Sequence, residues 1–172
     1  MRVVHQTISI GCPAERNGRE GRLVVAEFYA GLLGMRIIRV NWLKIGKHPR
    51  ALPQLAFSGD GWSDTRPPRW PDPEYPQQVH LDLHVRDLVD AERRVLRLGG
   101  ARLATYPDHG VYADPVGHPS CLYPADVDGE DAVIWRVVFD CLSPRTLARF
   151  YEDLVDEWEG SKTAPTRSSS VR

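Results

Sequence analysis

The sequence has few cysteines, no long apolar run and no excess of charge of either sign. Its three cysteines, Cys12, Cys121 and Cys141, are an odd number at irregular spacing, which argues against a disulfide framework and favours a reducing compartment. The longest apolar stretch, residues 23–35, contains Glu27 and is too short to cross a bilayer. The first residues also lack the apolar run of a signal peptide, so we expect a cytoplasmic protein without a membrane partner.

The charged residues are balanced in number and intermingled along the chain. The 22 basic and 23 acidic residues leave a net charge of −1, which provides no electrostatic surface for nucleic acid. With 172 residues, of which 42% are hydrophobic, the chain can bury a core as one domain or as two small fused units. A small-molecule ligand or substrate is therefore the expected partner.

Two stretches that open on a histidine have the same design. Residues 5–10 begin with His5 and residues 80–85 with His80, and both alternate apolar and polar residues as a half-buried strand does. An amphipathic helical segment follows each of them, and three short strand candidates follow each helix. The helical segments are residues 23–33 and 88–98. Because the same order of elements occurs twice, we interpret the chain as a duplication.

The repeats predict a division of the chain into segments. They are a first module (1–59), a proline-rich linker loop (60–76), a second module (77–125), a partial third β-α repeat (133–159) and a disordered tail (160–172). Trp62 and Trp70 of the linker either line a ligand cleft or pack the loop onto the body. The third repeat cannot bury its own apolar face, so it either packs on the edge of its own chain or exchanges with a second protomer. We expect a homodimer.

Three segments together resemble one known superfamily. They are Ala26-Glu27-Phe28-Tyr29 with Leu32-Leu33-Gly34-Met35, His80 with Val85, Asp87 and Leu88, and Val111-Tyr112-Ala113-Asp114-Pro115-Val116-Gly117-His118. Their order and spacing resemble the vicinal oxygen chelate superfamily, which includes glyoxalase I, extradiol dioxygenases and bleomycin-resistance proteins, and within it the glyoxalase-like domains. The resemblance implies an α+β fold of paired βαβββ modules that form a curved-sheet cleft. The extra C-terminal β-α unit adds to this fold.

The parity of the strands predicts which side chains face that cleft. A helix must cover the apolar side of its sheet, so the opposite parity faces the cleft. In the second module the side chains predicted to face the cleft are those of His80, Asp82 and His84. In the first module they are those of His5, Thr7 and Ser9. Asp82 and His84 stand two apart on one face, where they form either an acid/base couple or a structural hydrogen bond.

The resemblance also implies a metal site with one His or Gln from the first strand of each module and one Glu from the last. His5 and His80 occupy the first-strand positions. In the last strands Cys121 stands where a Glu is expected in the second module, and Ala56, or Gln54 with a shifted register, stands there in the first. The metal prediction is therefore a divalent ion such as Zn, Ni, Fe or Mn held by His5, His80 and Cys121.

Three functions are compatible with these residues. The first is a metal-dependent lyase or isomerase of the glyoxalase kind, with Asp82 or His84 moving a proton. The second is a metal-free protein that binds or sequesters a small molecule in the manner of the bleomycin-resistance proteins, which the missing carboxylates favour. The third is a structural or partner-binding module. Fold alone does not choose among them.

Overall fold

A computed structural model describes residues 7–59, 69–72, 74 and 79–154. His5, Trp62, most of the predicted linker and the predicted tail lie outside the described residues. The chain divides into two compact units, and residues 6–140 form the larger one. The described part of the smaller unit, residues 141–154, contains helix α3 (Pro144–Leu154).

The first repeat forms one four-stranded sheet and one helix. Its elements are β1 (Thr7–Cys12), β2 (Glu15–Arg16), β3 (Arg19–Glu20), α1 (Gly21–Leu33), β4 (Arg36–Arg39), β5 (Lys44–Gly46) and β6 (Gln54–Gly59). The strand order in the sheet is β1-β6-β5-β4, and β2 and β3 form a separate short hairpin. Helix α1 ends where Gly34 takes a left-handed conformation with φ of 59°, which glycine adopts without a steric penalty.

The second repeat has the same plan. Its elements are β7 (Val79–Val85), α2 (Leu88–Arg97), β8 (Ala101–Thr105), β9 (Gly110–Ala113) and β10 (Pro119–Pro124). In both repeats the first strand pairs in parallel with the last one, β1 with β6 and β7 with β10. Asp87 caps the N-terminus of helix α2, and its side chain accepts a hydrogen bond of 2.9 Å from the backbone N–H of Asp90.

The core lies between helices α1 and α2 and the apolar faces of the two sheets. Leu81, Leu83 and Val85 of β7 are buried in it, together with Val95 of α2 and Phe57 of β6. The alternate side chains of β7 point to the other face, as the parity of the strand predicts. The predicted α+β fold with paired βαβββ modules is confirmed, while the segment boundaries drawn from the sequence stay predictions.

Strand β11 (Ala132–Phe139) extends the second sheet, whose order is β11-β7-β10-β9-β8. It pairs antiparallel with β7 of the same chain, with a register shift between Ile134 and Arg136. Of the two arrangements expected for the third repeat, the strand therefore takes the one on the edge of its own chain. The homodimer stays a prediction, which light scattering tests. No helix among the described residues is long and apolar enough to span a membrane.

Candidate metal and ligand site

The candidate site is built on the face of the second sheet that is turned away from helix α2. Strand β7 places His80, Asp82 and His84 on this face, because the alternate residues Leu81 and Leu83 are buried in the core. Strand β10 adds Cys121, which stands directly beside Asp82 in the ladder. The sheet thus brings together four side chains that the sequence analysis singled out.

Three of these side chains form a compact cluster of possible metal ligands. One ligand atom from each of His80, Asp82 and Cys121 lies within 4.8 Å of the other two. Nε2 of His80 is 3.4 Å from Oδ1 of Asp82. The cluster combines an imidazole nitrogen, a carboxylate oxygen and a sulfur. We call these three residues the β7–β10 cluster.

The imidazole of His80 is held from its other side by Asp140. Nδ1 of His80 lies 2.8 Å from Oδ2 of Asp140 and forms a hydrogen bond with it. This contact leaves Nε2 as the ring nitrogen that faces the cluster. The Asp82 carboxylate and Cys121 on one side and Asp140 on the other outweigh the effect of burial and raise the pKa of His80 to about 10, so the metal-free imidazole is protonated at neutral pH.

Asp82 is the most buried member of the cluster, with 1% of its surface exposed. Its Oδ2 accepts a hydrogen bond of 2.6 Å from Nε of Arg136. Among the described residues its buried Oδ1 accepts no hydrogen bond, although it forms an ion pair with Nε2 of His80 at 3.4 Å. Burial acts to raise the pKa of the Asp82 carboxyl, but His80 and Arg136 outweigh it and lower that pKa below its usual value.

His84 lies farther along β7 and packs against aromatic rings instead of joining the cluster. Its ring stacks on Trp135 with centroids 4.2 Å apart. Burial, with a smaller contribution from the positive charge of Arg136, lowers the pKa of His84. In the described part of the chain Asp82 accepts a hydrogen bond from Arg136, and the Asp82–His84 couple stays a prediction.

A row of rings continues from Trp135 across the same face. Tyr123 meets Trp135 edge to face at 5.6 Å, His109 stacks on Tyr123 at 4.6 Å, and Tyr106 stacks on His109 at 4.7 Å. We call Tyr106, His109, Tyr123, His84 and Trp135 the aromatic row. Two of its members are well exposed, Trp135 at 46% and Tyr106 at 45%.

Comparison with known proteins now identifies the family. A family model described as the glyoxalase-like domain matches residues 21–123, more than half of the chain. The chain belongs to the glyoxalase-like domain family. This confirms the predicted resemblance to the vicinal oxygen chelate superfamily. A comparison with curated proteins found no match.

Solved structures resemble this glyoxalase-like domain in fold. A glyoxalase-related enzyme from Fulvimarina pelagi is 17% identical, with a TM-score of 0.50, and the match covers 79% of this chain and 97% of that one. A glyoxalase/bleomycin resistance protein/dioxygenase family enzyme from Burkholderia phytofirmans PsJN is 11% identical, with a TM-score of 0.49 and coverage of 69% and 96%. An antibiotic binding protein from Streptomyces sp. CB03234 is 17% identical, with a TM-score of 0.45 and coverage of 73% and 99%.

The remaining predicted site residues of the glyoxalase-like domain are placed as follows. Ser9 lines a cavity of about 250 Å³ between β1 and the start of β7, and His80 lines the same cavity. The hydroxyl of Thr7 accepts a hydrogen bond of 3.3 Å from Nζ of Lys44. Trp70 is partly buried and does not line this cavity. The structure therefore brings Ser9 and His80 to one cavity, and the β7–β10 cluster adjoins that cavity through His80.

The strand register decides which residue of the first module corresponds to Cys121. Cys121 stands beside Asp82, two residues after the histidine of its module. In the first module, Thr7 is the residue two after the histidine, and Gln54 stands beside it. Of the two residues considered as the first-module counterpart of Cys121, the register therefore selects Gln54 and not Ala56. Neither residue supplies a carboxylate.

The sequence analysis missed the three residues of the site that come after Tyr123. Trp135, Arg136 and Asp140 lie outside the matched residues 21–123, on or just after β11. The alternation of side chains along a strand could have indicated two of them. Arg136 and Asp140 are four positions apart in a strand-like segment, so their side chains are expected on the same face. Their partners on β7 were not deducible, since the pairing of β11 with β7 is a tertiary contact.

The β7–β10 cluster fits a divalent metal ion on two observations. The first is the buried Oδ1 of Asp82, which has no hydrogen-bond partner among the described residues. The second is the arrangement around the donors, in which Asp140 holds the outer nitrogen of His80 and Arg136 holds the outer oxygen of Asp82. Such outer partners commonly orient the ligands of metal sites.

Proposed function

We propose that this glyoxalase-like domain binds one divalent metal ion through His80, Asp82 and Cys121 and acts on or binds a small molecule beside it. The observation that carries the proposal is the buried Oδ1 of Asp82, which faces Nε2 of His80 at 3.4 Å while the outer atoms of both groups are already bonded. A buried carboxylate oxygen that accepts no hydrogen bond is costly, and a bound cation lowers that cost.

The donor set favours a transition metal over a hard cation. An imidazole, a carboxylate and a thiolate suit zinc or a similar ion, whereas magnesium and calcium take oxygen ligands. The proposal differs from the sequence prediction by adding Asp82 as a ligand. It does not depend on His5, which stays a predicted ligand outside the described residues. A bound ion supplies Lewis-acid polarisation of substrate oxygens.

The lyase or isomerase chemistry that the resemblance implies stays a prediction. Within it, His84 is the better candidate for proton transfer, because Asp82 is engaged by Arg136 and belongs to the cluster. His84 has a lowered pKa and lies on the same face as the cluster. A neutral imidazole on this face can accept a proton from a substrate held there.

Metal titration of the purified full-length chain tests the proposal. Zinc binding is measured by calorimetry and elemental analysis, and cobalt is added as a spectroscopic probe of thiolate coordination. We expect one ion per chain and a cobalt–thiolate absorption band. His80→Ala and Asp82→Asn should lower zinc affinity by at least about tenfold, and Cys121→Ser should abolish the cobalt–thiolate band.

Cys141→Ser is the matched control, because Cys141 is a free and exposed cysteine outside the cluster. It should bind zinc and cobalt as the unmodified chain does. Equal zinc affinity in the unmodified, His80→Ala and Cys121→Ser proteins would contradict the proposal. Loss of the cobalt–thiolate band in Cys141→Ser alone would contradict it as well.

A second candidate function is metal-free binding of a small molecule. The observation in its favour is that the charged groups are already paired without an ion, His80 with Asp140 and Asp82 with Arg136. In that case zinc would leave the melting temperature unchanged, and a ligand would raise it by mass action. The same titrations therefore separate the two functions.

A further inference from the structure

Arg136 occupies an unusual position in strand β11. The register shift between Ile134 and Arg136 inserts Trp135 as an extra residue in the ladder with β7. As a result two consecutive side chains meet the same face, since Trp135 stacks on His84 and Arg136 bonds Asp82. Bulges of this kind often re-aim side chains next to functional sites.

The guanidinium of Arg136 is fixed on two sides. Its Nε donates to Asp82 at 2.6 Å, and its central carbon lies 3.9 Å from the centroid of the Trp135 ring. The side chain is nevertheless 49% exposed. An arginine carries five N–H donors, and the Nε bond uses only one of them. The two terminal nitrogens form the planar fork that pairs with a carboxylate through two parallel hydrogen bonds.

We propose that Arg136 binds the carboxylate of a small aromatic acid, which is the substrate or ligand of the site. The inference rests on the proposed function in one respect. When a bound ion balances the charge of Asp82, the positive charge of Arg136 is left for an anionic ligand. A strand beyond the matched glyoxalase-like residues thus supplies the ligand-binding residue of this chain.

The aromatic row determines the rest of the ligand class. Tyr106, His109 and Tyr123 stack on one another with interplanar angles of 12° and 23°, and all three are at least partly exposed. Ring edges carry partial positive charge and attract the face of another aromatic ring. A flat ring laid over the row with its carboxylate on Arg136 satisfies both contacts. Trp135 supports this arrangement by stacking under the guanidinium.

Benzoate is the probe, and benzamide is its neutral analogue. Each is titrated into the full-length chain, with and without zinc, by calorimetry and by NMR of the indole N–H groups, with Trp135 assigned from a Trp135→Phe variant. We expect benzoate to shift the Trp135 signal and to bind the zinc-loaded chain more tightly than the metal-free chain. Benzamide should bind at least tenfold more weakly.

Arg136→Lys keeps the charge but loses the planar fork. We expect it to weaken benzoate binding at least tenfold when both proteins are compared with zinc at saturation. Arg94→Lys is the matched control, since Arg94 lies on α2 and pairs with Asp131. Trp135→Leu, which removes the supporting ring, should weaken benzoate binding as a second variant.

The outcomes separate this inference from the proposed function. Absence of zinc binding in the unmodified chain overturns the metal site, and the benzoate titration of the metal-free chain then decides the role of Arg136. Benzoate binding that is equal in Arg136→Lys, in Trp135→Leu and in the unmodified chain overturns the inference. So does the absence of any benzoate binding, or equal binding of benzamide.

Discussion

Nδ1 of His80 lies 2.8 Å from Oδ2 of Asp140, although 60 positions separate the two residues in the chain. The contact exists because β11 runs antiparallel along β7 and pairs Phe139 with Val79, so that Asp140 lies near the start of β7. Asp140 fixes the orientation of the imidazole and leaves Nε2 for the cluster. It is therefore a positioning residue for the proposed metal ligand.

Asp140→Asn should lower zinc affinity by roughly 10-fold to 100-fold, the usual effect of losing an outer carboxylate partner of a metal-bound histidine. Calorimetric titration with zinc measures the change. The free energy of unfolding of the metal-free protein should change little, because the Asp140 side chain is 45% exposed. Asp131→Asn, which alters an exposed carboxylate paired with Arg94, is the control and should leave zinc affinity unchanged.

Asp87→Ala should destabilise the chain by about 1 kcal/mol, since it removes the side-chain cap of helix α2. Urea unfolding measures this difference. Asp87→Asn keeps an oxygen that can accept the hydrogen bond from the Asp90 backbone and should retain most of the stability. Equal losses in the two variants would show that the cap does not contribute.

Gly100→Ala should destabilise the fold by roughly 1–3 kcal/mol through overpacking. A Cβ at this position would lie 2.6 Å from the carbonyl oxygen of Ala113 and 2.7 Å from a methyl of Val95. Gly59→Ala is the matched control, because its Cβ would meet only the flexible Arg22 side chain at 3.5 Å or more. Thermal unfolding should separate the two variants by several degrees.

The stability of the chain should fall at alkaline pH partly through Tyr112. Burial and the hydrogen bond to Glu92, with Arg102 opposing, raise the pKa of Tyr112 to about 12 from 10.0. A raised pKa in the folded state means that its contribution to stability is complete below about pH 10 and is lost as the pH rises to about 12. Tyr112→Phe should therefore reduce the slope of unfolding free energy against pH in this window.

The fold was largely predictable because its signals are local. Alternation within residues 80–85 predicted β7, and Asp87 and Gly34 predicted a helix start and a helix end. Each of these signals acts through its own backbone or its immediate neighbours. For the same reason, the strand-helix-strand-strand-strand order could be recognised in both repeats.

The candidate site was predictable only in part. Strand parity identified the face that holds His80 and Asp82, because side chains alternate wherever a strand forms. The sequence does not show which strand pairs with the free edge of β7. The contacts of Arg136 with Asp82 and of Asp140 with His80 were therefore not predicted. The register of β6 against β1, which selects Gln54 over Ala56, depends equally on pairing between distant strands.

The sequence by itself determined that this chain carries two similar modules and that one face of β7 presents ionisable side chains, since period and spacing are properties of consecutive residues. The tertiary structure alone decided that Cys121 stands beside Asp82 and that β11 brings Arg136 and Asp140 to the same face. Hydrogen bonds between strands join residues that are far apart in the chain, and no local pattern encodes which edge a strand will take.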